Sequence, residues 1–287
     1  MKALQCTELG GPEKLQVNEI DAPEVVPGHV VIDVKSGSIN FPDVLMIQGL
    51  YQFQPPLPFI PGGESAGVIS EVGEGVTKFK EGDKVFAMTG VGAFAEKILA
   101  AESNCMPIPE SMDFDSAAAL SMTYGTSLYA LKQRASLQPG ETLLVLGASG
   151  GVGLAAIELG KAMGAKVIAA ASTQDKIDMC LSHGADEGFI YPSSNLDRDQ
   201  QKELSNKIKE LTGGLGPNVI YDPVGGSYAE PCLRSIAWEG RYLVIGFAAG
   251  ADQIPKMPLN LTLLKGCQIV GVFWGAWVGQ FPDENKK

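Results

Sequence analysis

The residues Gly147-Ala-Ser149-Gly150-Gly151-Val152-Gly153 carry the clearest chemistry in the chain. Glycines at this spacing let a backbone approach an anion with no Cβ in the way. The first turn of a following helix adds unpaired N–H groups and a partial positive charge. Context decides between a phosphate cradle and an ordinary tight turn. "TLLVLG", before the cluster, is wholly apolar, as befits a strand buried on both faces of a parallel sheet. Gly151 to Met163 reads as a helix, with Gly164 as its stop. Strand, glycine loop and helix in that order make Gly147, Ser149, Gly150, Gly151, Val152 and Gly153 a predicted dinucleotide-phosphate site. Within it, Gly150 admits the pyrophosphate and Gly153 lets the helix pack on the sheet.

The end of the next strand bears on which dinucleotide binds. An NAD site places Asp or Glu about twenty residues beyond the glycines, where it binds the ribose 2′-OH. Here that strand ends Ala169-Ala-Ala-Ser172-Thr173, with no acid. A 2′-phosphate would not be repelled. Ser172 and Thr173 can donate hydrogen bonds to it, and Lys176, one turn on, supplies charge. The expectation is NADPH rather than NADH. A blander reading stands beside it: Ser172 caps the next helix, and Lys176 is a solvated surface charge.

These residues need a scaffold. The first 110 residues or so hold short strand signals separated by Gly and Pro: "HVVIDVKSGSIN", "ESAGVISEVGEGVTKF", "EGDKVFAM" and "GAFAEKILA". Such spacing predicts a small barrel or sandwich. After "PIPESMDF", Asp113 or Asp115 is placed to cap a helix through "SAAALSMTYGTSLYALKQRA". Strands and helices then alternate. "TLLVLG", "AKVIAAA", "EGFIYP", "PNVIYDPVGG", "RYLVIGF" and "CQIVGVFW" are the six strands, which predicts an α/β, doubly wound parallel sheet.

Composition narrows the function class. The 287 residues are 45% hydrophobic and carry a net charge of −11. That charge opposes binding to nucleic acid or anionic membranes. Five scattered cysteines with no CxxC pair read as buried free thiols in a reducing compartment. His29 and His183 are the only histidines, too few for a histidine-rich metal site or a Ser-His-Asp triad, and each reads as a loop or helix-end residue. "MKALQCTELGG" lacks the apolar core of a secretory signal, and the run from Ile269 to Gly279 is short of the ~18 residues that a membrane span needs. The expected location is the cytoplasm.

"SINFPDVLMIQGLY", "PFIPGGESAGVISEVGEGV", "GDKVFA", "AAALSMTYGTSLYAL", the glycine stretch and "YDPVGG" together resemble the medium-chain dehydrogenase/reductase superfamily. Within it the chain is similar to the zinc-independent quinone oxidoreductases of zeta-crystallin type. "LRSIAWEGRYLVIGFAAG" and "IPKMPLNLTLLKG" are close to the quinone oxidoreductase-like subgroup. The resemblance runs from residue 1 to about residue 280. It implies a GroES-like substrate domain over residues 1–120 and a Rossmann NADPH-binding domain over 121–275, with the active site in the cleft between them. Residues 276–287 form a short tail where relatives continue into a helix and a strand that returns to the first domain. The absent segment raises the expectation of uncovered apolar surface around Trp274 and Trp277.

Zinc-dependent relatives carry a Cys before the Asp of "SINFPD" and a His within "PGGES". This chain has Ile39-Asn40 and Gly63 there, so no metal is expected. An acceptor that itself delocalises the incoming charge, a quinone or other conjugated carbonyl, fits such a site. The implied activity is that of an NADPH:quinone oxidoreductase-type enzyme. By resemblance, Asn40 and Tyr51 face the acceptor carbonyl, Thr126 lies near the nicotinamide, Tyr191 lies near the adenosine phosphate, and Phe247 and Asn260 flank the nicotinamide. The residues alone leave Asn40 open as a turn residue, Tyr51 as a surface aromatic and Thr126 as a back-bonding helix threonine. The resemblance also implies a homodimer joined through the sixth Rossmann strand. Two other functions stay open: an enoyl-thioester or alkenal double-bond reductase, and a non-catalytic NADPH-binding protein.

Overall fold

The computed structural model describes residues 1–192 and 195–285. The chain folds as two compact units, Met1–Met122 and the part from Thr123 onward.

The first unit is built on strands. β1 (Lys2–Cys6) and β2 (Leu15–Glu19) form an antiparallel pair. β3 (His29–Ser38), β4 (Glu64–Val72), β5 (Lys84–Met88), β6 (Lys97–Ala101) and β7 (Cys105–Pro107) form an antiparallel sheet in the order β6-β3-β4-β5-β7. One face buries Val30, Ile32, Ile69, Val85, Ala87, Ile98 and Ala100. Such contiguous β-branched burial is what closes a small sheet into a stable core. A helix of seven residues, α1 (Phe41–Ile47), follows β3. α2 (Phe114–Ala118) is capped by Asp113, whose side chain accepts from the Ser116 N–H at 2.7 Å. It lays Ala117 and Ala118 on Ala66 and Phe86.

The second unit holds β8 (Thr142–Val145), β9 (Lys166–Ala171), β10 (Glu187–Ile190), β11 (Val219–Asp222), β12 (Arg241–Val244) and β13 (Gln268–Gly271). All pair in parallel, in the order β10-β9-β8-β11-β12-β13. That is the doubly wound order in which the crevice opens beside the first strand, at the carboxyl ends. β8, β9 and β11 are buried almost throughout, matching their mostly apolar sequence, whereas β13 is an exposed edge. The helices are α3 (Leu120–Leu128), which runs on into a π-helical turn at Tyr129–Arg134, then α4 (Gly151–Ala162), α5 (Gln174–Ser182), α6 (Arg198–Leu211), α7 (Ala229–Ser235), α8 (Asn260–Lys265), α9 (Trp274–Gln280) and α10 (Pro282–Asn285).

The structure corrects one expectation here and narrows another. "CQIVGVFW" is not one strand: pairing stops at Gly271, and Trp274 opens α9. Of the apolar surface expected to be uncovered around Trp274 and Trp277, Phe273 and Phe281 are exposed, but the two tryptophan rings are not. Trp274 is 8% exposed and fills the space that a Cβ on Gly125 would occupy, and Trp277 stacks on Tyr129 with ring centroids 4.8 Å apart. The apolar run packs its own aromatic rings against α3 and the π-helical turn.

Candidate active site

β8 delivers the chain into the glycine loop. Gly147 has φ +56°, a conformation that costs a glycine little, and a Cβ there would lie 2.9 Å from Val224 Cγ2. The Gly150 N–H closes the turn on the Gly147 carbonyl at 3.0 Å, and α4 begins at the next residue. Only the Gly147 oxygen, at 3.3 Å, lies near a Cβ built on Gly150, so that glycine leaves room for a phosphate. At the start of α4 the N–H groups of Gly151, Val152 and Gly153 lack intrahelical acceptors, which suits them to an anion. Gly153 acts differently from expectation. A Cβ there would stand 2.6 Å from the carbonyl oxygens of both Gly147 and Ala148. It therefore fits the helix to its own loop. The glycine that seats α4 on the sheet is Gly160, where a Cβ would stand 2.7 Å from Leu143 and 3.2 Å from Val167.

Further elements brace the cradle. On α3, Thr123 places its methyl where a Cβ on Gly151 would go, and the buried Ser127 hydroxyl reaches the Val152 carbonyl at 2.9 Å and the Tyr221 hydroxyl at 2.8 Å. Thr126 is half-buried on the same helix, and among the described residues its hydroxyl has no helix carbonyl as partner. The back-bonding alternative is thus removed. Tyr191 is buried rather than open. Its hydroxyl accepts the Gly147 N–H at 3.2 Å, its ring leans on Tyr228 at 4.8 Å, and burial pushes its hydroxyl up to about 12. It steadies the loop from behind.

At the end of β9, Lys176 Nζ donates to Ser172 Oγ at 3.1 Å, so the two converge beside the strand terminus. Thr173, not Ser172, caps α5, its hydroxyl accepting the Lys176 N–H. The capping alternative for Ser172 falls away, and its half-buried hydroxyl is left to pair with Lys176.

At the end of β11, Asp222 is buried and accepts the N–H groups of Val224 and Gly225, each at 2.8 Å, and the Tyr242 hydroxyl. Burial pushes this carboxyl up. The turn it holds brings Gly225, at φ +70°, close to Phe247, whose ring lies 3.0 Å from a Cβ built there. Asn260 is exposed at the first turn of α8.

In the first unit, Asn40 precedes α1 and is half-buried. Its Nδ2 donates to Glu64 Oε1 at 2.8 Å, and its backbone N–H donates to Asp43 Oδ2 at 2.8 Å. Asp43 is 4% exposed and Glu64 1%. Burial raises both carboxyls above the usual range, and the charge of Asp43 adds to the rise at Glu64. Tyr51 is half-buried against Cys6, Met46, Ile47 and Phe59. Burial, then Asp43, raises its hydroxyl. Asn40, Asp43, Glu64 and Tyr51 thus form one cluster. Sequence reading singled out the first and last only. Asp43 and Glu64 stand inside "SINFPD" and "PGGES", beside proline and glycine, where an acid reads as a turn residue.

The zinc-dependent relatives raise the question of a metal at this cluster. Among the described residues no three His, Cys, Asp or Glu side chains converge to hold a metal ion, and Asn40 and Gly63 bring no thiolate or imidazole to the cluster. The donor set does not fit zinc.

Residues 26–110 match the alcohol dehydrogenase GroES-like domain, and residues 151–286 match the zinc-binding dehydrogenase family. The quinone oxidoreductase-like protein 2 homolog of Nematostella vectensis is 40% identical over 96% of this chain and 73% of its own. A quinone oxidoreductase from Pseudomonas syringae pv. tomato superposes with a TM-score of 0.86 at 32% identity, over 99% of this chain and 86% of its own. The quinone oxidoreductase of Thermus thermophilus, whose structure was also determined in complex with NADPH, gives 0.81 at 30% identity, over 99% and 85%. With a phosphate cradle on a doubly wound sheet, a GroES-like unit carrying the Asn40 cluster, and relatives at this identity and coverage, the chain belongs to the medium-chain dehydrogenase/reductase superfamily of oxidoreductases, beside the quinone oxidoreductases and quinone oxidoreductase-like proteins.

Proposed function

We propose that the protein is a zinc-independent, NADPH-dependent reductase that passes a hydride to a quinone or another neutral conjugated carbonyl. The observation that carries the cofactor choice is the Ser172–Lys176 pair at the end of β9, where no carboxylate stands. The NADPH complex of the Thermus relative supports the same choice. When bound, the dinucleotide supplies the hydride. The chain binds its pyrophosphate on Gly150 and the first turn of α4, and its 2′-phosphate on Ser172 and Lys176. Thr126, with its hydroxyl unengaged, and Phe247, over Gly225, are the residues assigned to hold the nicotinamide, with Asn260 on the flanking loop and Tyr191 behind the glycine loop.

Asn40 is assigned to the acceptor: its amide donates to the carbonyl oxygen on which charge develops. Tyr51 is the nearby hydroxyl from which the completing proton leaves, and water replaces it. The acceptor segment favours a neutral substrate. From Ser36 to Ser70 there is no Lys, Arg or His, and Ile39, Phe41, Leu50, Phe53 and Leu57 are exposed. Such a surface suits an apolar ring system and offers nothing to the phosphates of a coenzyme-A thioester. Among the described residues β13 pairs with a strand on one side only, which supports a homodimer paired through it. Five buried, unpaired cysteines support a reducing, cytoplasmic setting.

The test compares NADPH oxidation with 9,10-phenanthrenequinone, a 2-alkenal and an enoyl coenzyme-A thioester. Efficient turnover of the quinone with slow turnover of the thioester is expected. The reverse order would replace this reading with that of a thioester reductase, and NADPH binding without any turnover would replace it with that of a non-catalytic protein.

A further inference from the structure

Glu64 is a buried carboxylate with no cation beside it among the described residues. Three donors take the place of its water: Asn40 Nδ2 at 2.8 Å, the Met122 N–H at 2.8 Å and the Ser38 hydroxyl. The charge that faces it is that of Asp43, which disfavours it further. Burying an acid this way costs stability, and an apolar residue at the start of β4 would avoid that cost. The arrangement has a consequence for one neighbour. The backbone of Asn40 is already held by Asp43, through Asn40 N to Asp43 Oδ2 at 2.8 Å and Asp43 N to Asn40 O at 3.0 Å. Glu64 therefore adds nothing to the main chain of Asn40 and acts on its side chain alone. An ionised carboxylate only accepts, so the Asn40 amide is held with its nitrogen toward Glu64. Its Oδ1 faces the Asp43 N–H in the capping box that opens α1, and its second N–H stays available to another partner.

We propose that Glu64 is a positioning residue that sets which edge of the Asn40 amide, donor or acceptor, meets the substrate carbonyl. This rests on the reading above that Asn40 donates to that carbonyl. In Glu64→Gln the single oxygen, if kept on the Met122 N–H, turns the new NH₂ toward Asn40. Two donors then face each other, and the Asn40 amide rotates to present Oδ1 inward. At the substrate the donor and acceptor exchange places.

The experiment uses the full chain with saturating NADPH and 9,10-phenanthrenequinone, in wild type, N40A, E64Q and the double variant. The side-chain amide resonances of ¹⁵N-labelled protein are recorded alongside. N40A and E64Q are each expected to lower kcat/KM for the quinone by on the order of ten- to a hundredfold with the KM for NADPH unchanged. The double variant is expected to be no worse than N40A. The Asn40 amide pair, assigned by its loss in N40A, is expected to shift in E64Q. Glu64→Asp, which keeps an acceptor but withdraws it, is expected to fall between wild type and E64Q, and it decides the matter should E64Q not fold. Losses that multiply in the double variant, or an Asn40 amide pair unmoved by E64Q, would overturn the positioning role alone. Unchanged turnover in N40A would overturn the reading of Asn40 itself, and the positioning role with it.

Discussion

Replacing Ser172 by aspartate puts a carboxylate where NAD sites carry one, and the structure lets the effect be sized. Ser172 Oγ lies 3.1 Å from Lys176 Nζ, so the new acid pairs with that lysine and withdraws it from a 2′-phosphate. The lost charge-assisted hydrogen bond is worth about 1.5–3 kcal/mol. The new repulsion between carboxylate and phosphate is ~1 kcal/mol per charge pair at 4 Å in water and ~4 at an effective dielectric of 20. Lys176 is exposed and Ser172 half-buried, which places the site toward the watery limit. A total of about 3 kcal/mol follows, or roughly a hundredfold weaker NADPH binding. NADH has no phosphate to repel and gains an acceptor for its 2′-OH, so its affinity is expected to hold or improve. The assay is fluorescence titration of both dinucleotides at one fixed ionic strength, because screening alters both terms. An NADPH Kd within about threefold of wild type in S172D would refute the assignment of Ser172 and Lys176 to the 2′-phosphate.

Three further predictions follow from the same geometry. Gly153→Ala drives a methyl to 2.6 Å from two carbonyl oxygens, which should destabilise the protein by about 1–3 kcal/mol and abolish the rise in melting temperature on adding NADPH; a retained rise would mean that the loop is not the cradle. Tyr51→Phe keeps the ring in its apolar cluster and removes only the hydroxyl, so quinone turnover should fall by roughly tenfold or more at unchanged melting temperature; undiminished turnover would remove Tyr51 as the proton's source. The third concerns pH. Burial, then the charge of Asp43, raises the Glu64 carboxyl, so the folded protein holds that proton more tightly than the unfolded chain. The stability this contributes is complete below the ordinary carboxylate value of 4.5 and is lost as pH rises through the raised value. The melting temperature of E64Q relative to wild type should therefore climb between acid and neutral pH, and a falling difference would reverse the sign assigned to Glu64.

The parallel sheet could be read from the chain because β8, β9 and β11 are apolar on both faces, a pattern with few other uses. The edge was harder to read. "CQIVGVFW" looks equally apolar, but Trp274 and Trp277 serve α3 and the π-helical turn, and periodicity over so short a run does not distinguish a strand from a helix start. Local chemistry was legible to the level of residue type and no further. Glycines at the cradle were expected, yet only the positions of the Gly147 and Ala148 carbonyls reveal what Gly153 does, and only Leu143 and Val167 reveal the role of Gly160. Ser172 and Thr173 are interchangeable as caps on paper, and the backbone at Thr173 decides between them. Asp43, Glu64 and Asp222 escaped notice because an acid beside glycine or proline reads as a turn. The burial of Asp43 and Glu64 depends on β3, α1 and β4 coming together within the first unit, and that of Asp222 on β11 and β12 pairing within the second, which no local pattern encodes.

The proposed reaction is the reduction of a neutral conjugated carbonyl by NADPH on this chain. The most direct measurement is the consumption of NADPH and of NADH, each followed by the absorbance of the reduced nicotinamide, with 9,10-phenanthrenequinone, 1,4-benzoquinone and a 2-alkenal in parallel. Turnover of the quinones is expected with kcat/KM for NADPH at least tenfold above that for NADH, and with an increase with the size of the apolar ring system. NADH used as well as NADPH, or NADPH bound but consumed with none of the three acceptors, would contradict it.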